Sequence, residues 1–259
     1  MHIVQPDEPK APGVVRVAVS IPNMGYTQVE AYCNRLVNFM HLGKLEKEGE
    51  LLQKTPRFEF LFSVIGRIFT PVARDEAAKL ALESDCDYLY MIDDDMLCPD
   101  DMFERLYAHN VDLIAPLAFT RNAPHKPVMY NIMEGYDTIT KRDYFMNTVV
   151  MNYPKEQLVE CDAVGFGAAL IKIEVLKKMK APYFMSTCGT GEDIFFCHKA
   201  KKLGFRVFMD TSVKLGHLSH PLNVDEDYVN QYRKNDPNFE KRHTGQGAKY
   251  SKAVCVLGD

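Results

Sequence analysis

The chain has 259 residues, enough for one large domain or two small ones with a sizeable core. Apolar residues make up 46% and charged residues 25%, as in an ordinary soluble globular protein, and the net charge of −4 excludes an overall basic field that would hold nucleic acid by backbone attraction alone. Seven scattered cysteines, odd in number and without a C-x-x-C pair, argue against a disulfide framework and for a reduced, cytoplasmic compartment.

Residues 1–13 are polar and Pro-rich and read as a flexible arm; they contain no apolar core of a signal peptide. No run approaches the roughly 18 apolar residues that a spanning helix needs, so no membrane is expected. "VVRVAVSIP", 14–22, is a β-branched apolar run and predicts a buried strand that ends at Pro22. Over 27–43 the spacing of Val29, Tyr32, Cys33, Leu36, Phe39 and Met40 predicts a helix with that stripe inward and Gly43 as its stop. "FEFLFSVI", 58–65, predicts a second strand, and 71–84 a helix opened by Pro71. "YLYMI", 88–92, predicts a third strand; 99–110 a helix with Pro99 in its first turn; and "VDLIAPLAF", 111–119, a fourth strand.

Strands and helices therefore alternate over 14–119, and apolar runs without polar alternation indicate strands covered on both faces. This is the signature of an α/β fold with a mainly parallel central sheet flanked by helices. Residues 120–160 lose the rhythm and suit short antiparallel strands or a loop over a site. A Gly-containing strand and short helix follow over 160–179, a helix over 190–204 with Phe196, Ala200 and Leu203 on one face, and a strand over 205–210. Residues 226–259 are polar and carry Arg233, Lys234, Lys241, Arg242, Lys249 and Lys252, which reads as a tail.

Chemistry concentrates in three places. In "YMIDDDMLCPDD", 90–101, an apolar strand runs directly into Asp93, Asp94 and Asp95. On a strand end Asp93 and Asp95 point one way and Asp94 the other, so an Asp-x-Asp pair can share one hard cation such as Mg²⁺ or Mn²⁺. An isolated pair of this kind is more often a solvated turn; the strand before it raises the odds of a site. "GTGEDIFF" places Glu192 and Asp193 at a helix start. Taken alone, T-x-x-D from Thr190 to Asp193 favours capping over a general base. "VKLGHLSHP" offers His217 and His220, neither with helical metal-binding spacing.

The phosphate loop G-x-x-x-x-G-K-[ST], the full dinucleotide fingerprint and G-x-S-x-G are all missing. What remains is an ordered set: "VAVSIP", "PVARDEAA", "YLYMIDDDMLCPDDMFERL", "VDLIAPLAFTR", "DAVGFGAALIKIEVLKKM" and "GEDIFFCHKAKKLGFRVFMDTSVKLGH", spanning 14–220. Together they resemble the GT-A glycosyltransferases of the family 2-like group, and most of all the small glycosyltransferases encoded by bacteriophages.

That resemblance implies a Rossmann-like GT-A domain over 14–225, with a nucleotide-sugar-binding half at 14–122, an acceptor-side half with a small antiparallel portion at 123–225, and a tail from 226. It implies a divalent metal, Mn²⁺ or Mg²⁺, and a nucleotide-sugar donor, UDP-sugar foremost. The acceptor would be a hydroxyl on a modified DNA base, a virion protein or a glycan. Asp93, Asp95 and His217 would serve the metal. Ser20, Ile21, Pro22, Arg74, Asp93 and Asp94 would serve the nucleotide, and Gly165 and Gly167 would let backbone approach the sugar. Asp193 would be the base of an inverting transfer, and Glu192 would hold the acceptor or the base. Asp75 departs from the Arg-Asn of many relatives. The rival expectation is a carbohydrate- or nucleotide-binding module of the same fold without turnover.

Overall fold

The computed structural model describes residues 10–23, 27–52, 56–139, 141–187, 190–219 and 222–236. Gly189, His220 and the cationic Lys241, Arg242, Lys249 and Lys252 lie outside the described residues. The first half comprises β1 (Val14–Asn23), α1 (Val29–Leu51), β2 (Arg57–Gly66), α2 (Thr70–Glu83), β3 (Tyr88–Ile92), β4 (Met96–Leu97), α3 (Met102–Ala108) and β5 (Leu113–Leu117). The second half adds β6 (Met129–Asp137), β7 (Arg142–Val149), β8 (Leu158–Cys161), β9 (Ala163–Val164), β10 (Ala168–Lys172), α4 (Ile173–Lys178), α5 (Glu192–Lys202), β11 (Val207–Lys214), β12 (Gly216–Ser219), β13 (Leu222–Val224) and α6 (Glu226–Asn235).

A seven-stranded sheet, ordered β2–β1–β3–β10–β5–β11–β8, forms the centre. Strands β1, β2, β3, β5 and β11 share one direction, and β10 and β8 run against them. Along β3, Leu89 and Met91 enter the core shared with α2, α4 and α5, while Tyr90 and Ile92 enter the core under α1 and α3. Both faces are thus covered, which is why these strands read as unbroken apolar runs. One core holds Phe166, Phe184 and Phe196, and the other clusters Phe60, Tyr90 and Phe103. Two three-stranded antiparallel sheets complete the fold, β13–β12–β4 and β7–β6–β9.

Helix α1 corrects two expectations. It continues past Gly43 to Leu51, because the following stretch is rich in Lys, Glu and Leu, strong helix formers that outweigh the cost of about 1 kcal/mol for each of Gly43 and Gly49. Most of the expected stripe also turns outward, Phe39 alone of it packing on the core among the described residues. Ala31, Arg35, Asn38 and Leu42 are buried, whereas Val29, Tyr32, Leu36 and Met40 are exposed. The polar side chains point inward because they bind backbone groups that would otherwise be orphaned, as described below.

Helix α3 starts at Met102, with Pro99 in the turn before it rather than in its first turn. In α5 the inward residues are Ile194, Phe196, Cys197 and Ala200, and Leu203 is exposed. The polar stretch from 226 is not all tail. Residues Glu226–Asn235 form α6, capped by Asp225, whose side chain accepts from Tyr228 N at 2.8 Å. Val229 is buried, and Tyr228 and Tyr232 meet the buried His125 ring edge-on.

Asp210 on β11 is a buried carboxylate with full partners. Its Oδ1 accepts from Ser212 N at 2.8 Å and Ser212 Oγ at 2.6 Å, and its Oδ2 faces His109 Nε2 at 2.8 Å. Burial pulls its pKa up, but these partners outweigh that and hold it below the ordinary carboxylate value. A depressed folded-state pKa means the stabilisation is present above the unfolded value and is lost as pH falls through the folded one. Asp210→Asn is therefore expected to cost about 1–3 kcal/mol at pH 7, a gap that narrows below about pH 4. Urea titrations at both pH values would check this; a gap of constant size would disprove the assignment.

Candidate active site

The site lies where β1 and β3 end, at the carboxyl edge of the sheet, the usual place for ligands in open α/β folds. Pro22, Asn23, Ile68, Thr70, Asp93, Asp94, Asp95 and Arg121 line a cleft of about 190 Å³ there. The acidic turn is fixed from below. Asp93 N donates to Gly167 O at 2.8 Å, and Arg35 Nη2 donates to Asp93 O at 2.7 Å and to Met96 O at 3.3 Å. Asn34 brackets Cys98, donating to its carbonyl at 2.9 Å and accepting from its N–H at 2.8 Å. Asn38 donates to Pro99 O at 3.4 Å. Three neighbouring polar residues of one helix thus hold the turn that presents the carboxylates. Sequence patterning missed them; the signal was an Asn-Arg pair with Asn one turn later in an otherwise amphipathic helix.

The three acids have three different partners. Asp93 meets the buried Arg74, whose Nη2 lies 2.9 Å from both carboxylate oxygens and 3.0 Å from Phe166 O. Burial pushes Asp93 up to about 6, against the pull of Arg74, with Asp95 and Glu192 adding repulsion, so it remains ionised at neutral pH. Burial alone would pull Arg74 down; Asp93, Glu192 and Asp193 together outweigh it. Asp94 turns outward and accepts from Asn23 Nδ2 at 2.7 Å.

Asp95 faces His217. Its Oδ2 lies 3.3 Å from His217 Nε2, and Arg121 Nη2 donates to the same oxygen. Burial would raise Asp95, but the hydrogen bond from His217 and the neighbouring Arg121 guanidinium hold it below its ordinary value. Strand β12 delivers the histidine, pairing His217 with Met96 in antiparallel register. His217 Nδ1 donates to Phe119 O at 2.8 Å, which orients the ring so that Nε2 faces Asp95.

Glu192 and Asp193 open α5. Glu192 Oε1 is 3.2 Å from Arg74 Nη1, so Arg74 links the acidic turn to this helix. Yet Arg74 Nε and Nη1, both buried, make no hydrogen bond. The N-cap of α5 is Gly191 and receives no side-chain cap, so the capping box expected from Thr190 and Asp193 does not form. Instead Asp193 Oδ1 accepts from Ile194 N at 2.7 Å. Burial leads in raising Asp193, opposed by Arg74 and reinforced by Glu192.

Other expected residues sit differently. Ser20 and Ile21 are buried within β1, and of the three residues expected around the base only Pro22 borders the cleft. A Cβ at Gly165 would stand 2.8 Å from Val128 Cβ, and one at Gly167 3.0 Å from Met96 Sδ. Both glycines therefore make room for neighbouring side chains. Asp75 accepts from Phe184 N at 2.7 Å and ties α2 to the segment before α5, a structural use for that departure. Among the described residues no three His, Cys, Asp or Glu side chains converge as a metal centre; Asp95 and His217 come together, and Asp93 is turned to Arg74.

No family model matches the chain, and no curated protein matches it. Solved structures do. The crystal structure of A197 from STIV is similar at a TM-score of 0.54 and 20% identity, over 83% of this chain and 92% of that one. That of GalNAc-T7 with UDP, GalNAc and Mn²⁺ is similar at 0.50 and 13% identity, over 81% of this chain and 45% of that one. The fold is GT-A-like. Among the described residues no helix is long and apolar enough to cross a membrane.

Proposed function

We propose that this GT-A-like chain is a metal-dependent glycosyltransferase that moves a sugar from a nucleotide-sugar donor, UDP-sugar foremost, to a hydroxyl acceptor. The observation that carries it is the pairing of Asp95 Oδ2 with His217 Nε2 at 3.3 Å beside a buried arginine that still has hydrogen bonds to give. A carboxylate oxygen and an imidazole nitrogen with its tautomer fixed suit Mn²⁺ or Mg²⁺, which needs further oxygens such as those of a diphosphate. Asp95 and His217 would hold such an ion, and it would supply charge compensation for the leaving diphosphate.

The chain's own residues do the rest. Pro22, Asn23 and Asp94 border the nucleotide. Arg74 holds Asp93 and Glu192 together by ion pairs, and its Nε and Nη1 donors are left to bind phosphate or sugar oxygens. Asp193, with one oxygen held by Ile194 N, receives the proton of the acceptor hydroxyl on the other. The acceptor oxygen bonds the anomeric carbon as the bond to the diphosphate breaks, and the configuration inverts. The acceptor is a hydroxyl of a modified DNA base, a virion protein or a glycan, met in the cytoplasm. A DNA acceptor would show binding that weakens steeply with salt.

The test is a thermal-shift screen of UDP-, GDP- and CMP-sugars with and without Mn²⁺, followed by Asp95→Ala. The right donor at a hundredfold excess over its dissociation constant should add about 2.7 kcal/mol, only with metal. Asp95→Ala should abolish the metal-dependent shift and turnover while the free protein unfolds as before. No shift with any donor would favour a module that has kept the fold and lost the chemistry.

A further inference from the structure

The notch between Asp95 and His217 already contains a cationic group belonging to the chain. The Arg121 guanidinium hydrogen-bonds Asp95 Oδ2 through Nη2, and its Nε points at His217 Nε2 at 3.4 Å. It contacts the same two ligand atoms that a divalent cation would use. The side chain is half exposed, at 49%, and lines the cleft with Pro22, Asn23 and the three acids, so it can leave by rotation.

The chain on either side of it is pinned. Thr120 N donates to Lys126 O at 2.8 Å, Lys126 N donates to Thr120 Oγ1 at 2.9 Å, and Val128 N donates to Ala118 O at 3.1 Å. His125, buried under Tyr228 and Tyr232, has its Nδ1 3.1 Å from Thr120 O. A loop pinned on both sides thus carries one half-exposed cation to the mouth of the site.

We propose that Arg121 is a resident competitor for the divalent cation, released from Asp95 when the ion enters and then bound to the donor's diphosphate. This rests on the metal-dependent reading above. Two cations cannot share one carboxylate oxygen in a small cleft without repulsion, so the ion's arrival expels the guanidinium. The nearest anion with matching geometry is then a diphosphate, which arginine binds in a bidentate fork. Metal alone must displace Arg121 without recompense, whereas metal with nucleotide gives it a new partner. Metal and nucleotide therefore strengthen each other's binding, reciprocally.

The experiment measures Mn²⁺ binding by electron paramagnetic resonance, which follows the free ion, in the wild type, Arg121→Met and Asp95→Ala, each without and with UDP or GDP. A latch closed nine-tenths of the time lowers apparent metal affinity about tenfold, so Arg121→Met should bind Mn²⁺ alone about tenfold more tightly. With Mn²⁺ saturating, the same variant should bind the nucleoside diphosphate about tenfold more weakly, having lost a charge-assisted fork. Equal or weaker Mn²⁺ binding by Arg121→Met, with binding lost in Asp95→Ala, would overturn the latch and leave the metal site standing. Mn²⁺ binding absent from the wild type and Arg121→Met alike, with and without nucleotide, would overturn both. The half-exposed Arg121 position makes misfolding of its variant easy to check by thermal unfolding.

Discussion

Replacing Arg74 with alanine is expected to destabilise the protein by about 3–5 kcal/mol, the cost of leaving buried charge without its partner. The guanidinium is the shared counterion of Asp93 and Glu192, and it also binds Phe166 O. Without it two carboxylates and a carbonyl face one another inside the sheet edge. For a chain of this size the loss corresponds to roughly 2–4 °C of melting temperature per kcal/mol. Urea denaturation would measure it directly. Arg74→Lys should recover only part, because a point charge cannot serve two acids and a carbonyl at once. A loss below about 1 kcal/mol would mean that the acids relax into solvent, where surface pairs contribute that little.

Asp193→Asn is the second large effect, this time on rate. The amide oxygen can still accept from Ile194 N, so the start of α5 should be preserved. Donor binding should change little, while transfer should fall by about 10²–10⁴-fold, the range for losing a general base. The two can be separated by measuring nucleotide affinity by calorimetry and turnover with saturating donor. Full turnover in this variant would remove Asp193 from the mechanism and direct attention to Glu192. A matched loss of donor affinity would instead make it a binding residue.

How legible were these features? Strand β3 and its acidic end stood out because an unbroken apolar run meeting three acids violates the ordinary pattern of a turn. The Arg74 helix was readable from Pro71 and the alanines around it, and that alanine face is what brings the arginine close to β3. Helix α1 was readable as a helix but not in orientation, since hydrophobic spacing assumes that apolar residues turn inward. There Arg35 and Asn38 win the interior because backbone carbonyls of the acidic turn need donors. Thr190–Asp193 spacing suggested a cap, and only the backbone revealed that Gly191 holds that position. Arg121 carried no local signal at all. Its meaning depends on His217, 96 residues away, and only folding brings the two together.

That distance has a kinetic side. The contacts that complete the acidic turn join residues separated by 58 positions for Arg35 and Asp93, 92 for Arg74 and Phe166, and 98 for His217 and Phe119. Such closures are entropically slow and come after local helices and neighbouring strands. On the ribosome, Asp93 to Asp95 emerge long before Phe166, Glu192 or His217 exists to engage them. The half that carries the acidic turn is therefore made first and completed last, when the later strands and α5 pack against it. A truncated or stalled chain would carry three acids at a strand end without the later residues that orient them.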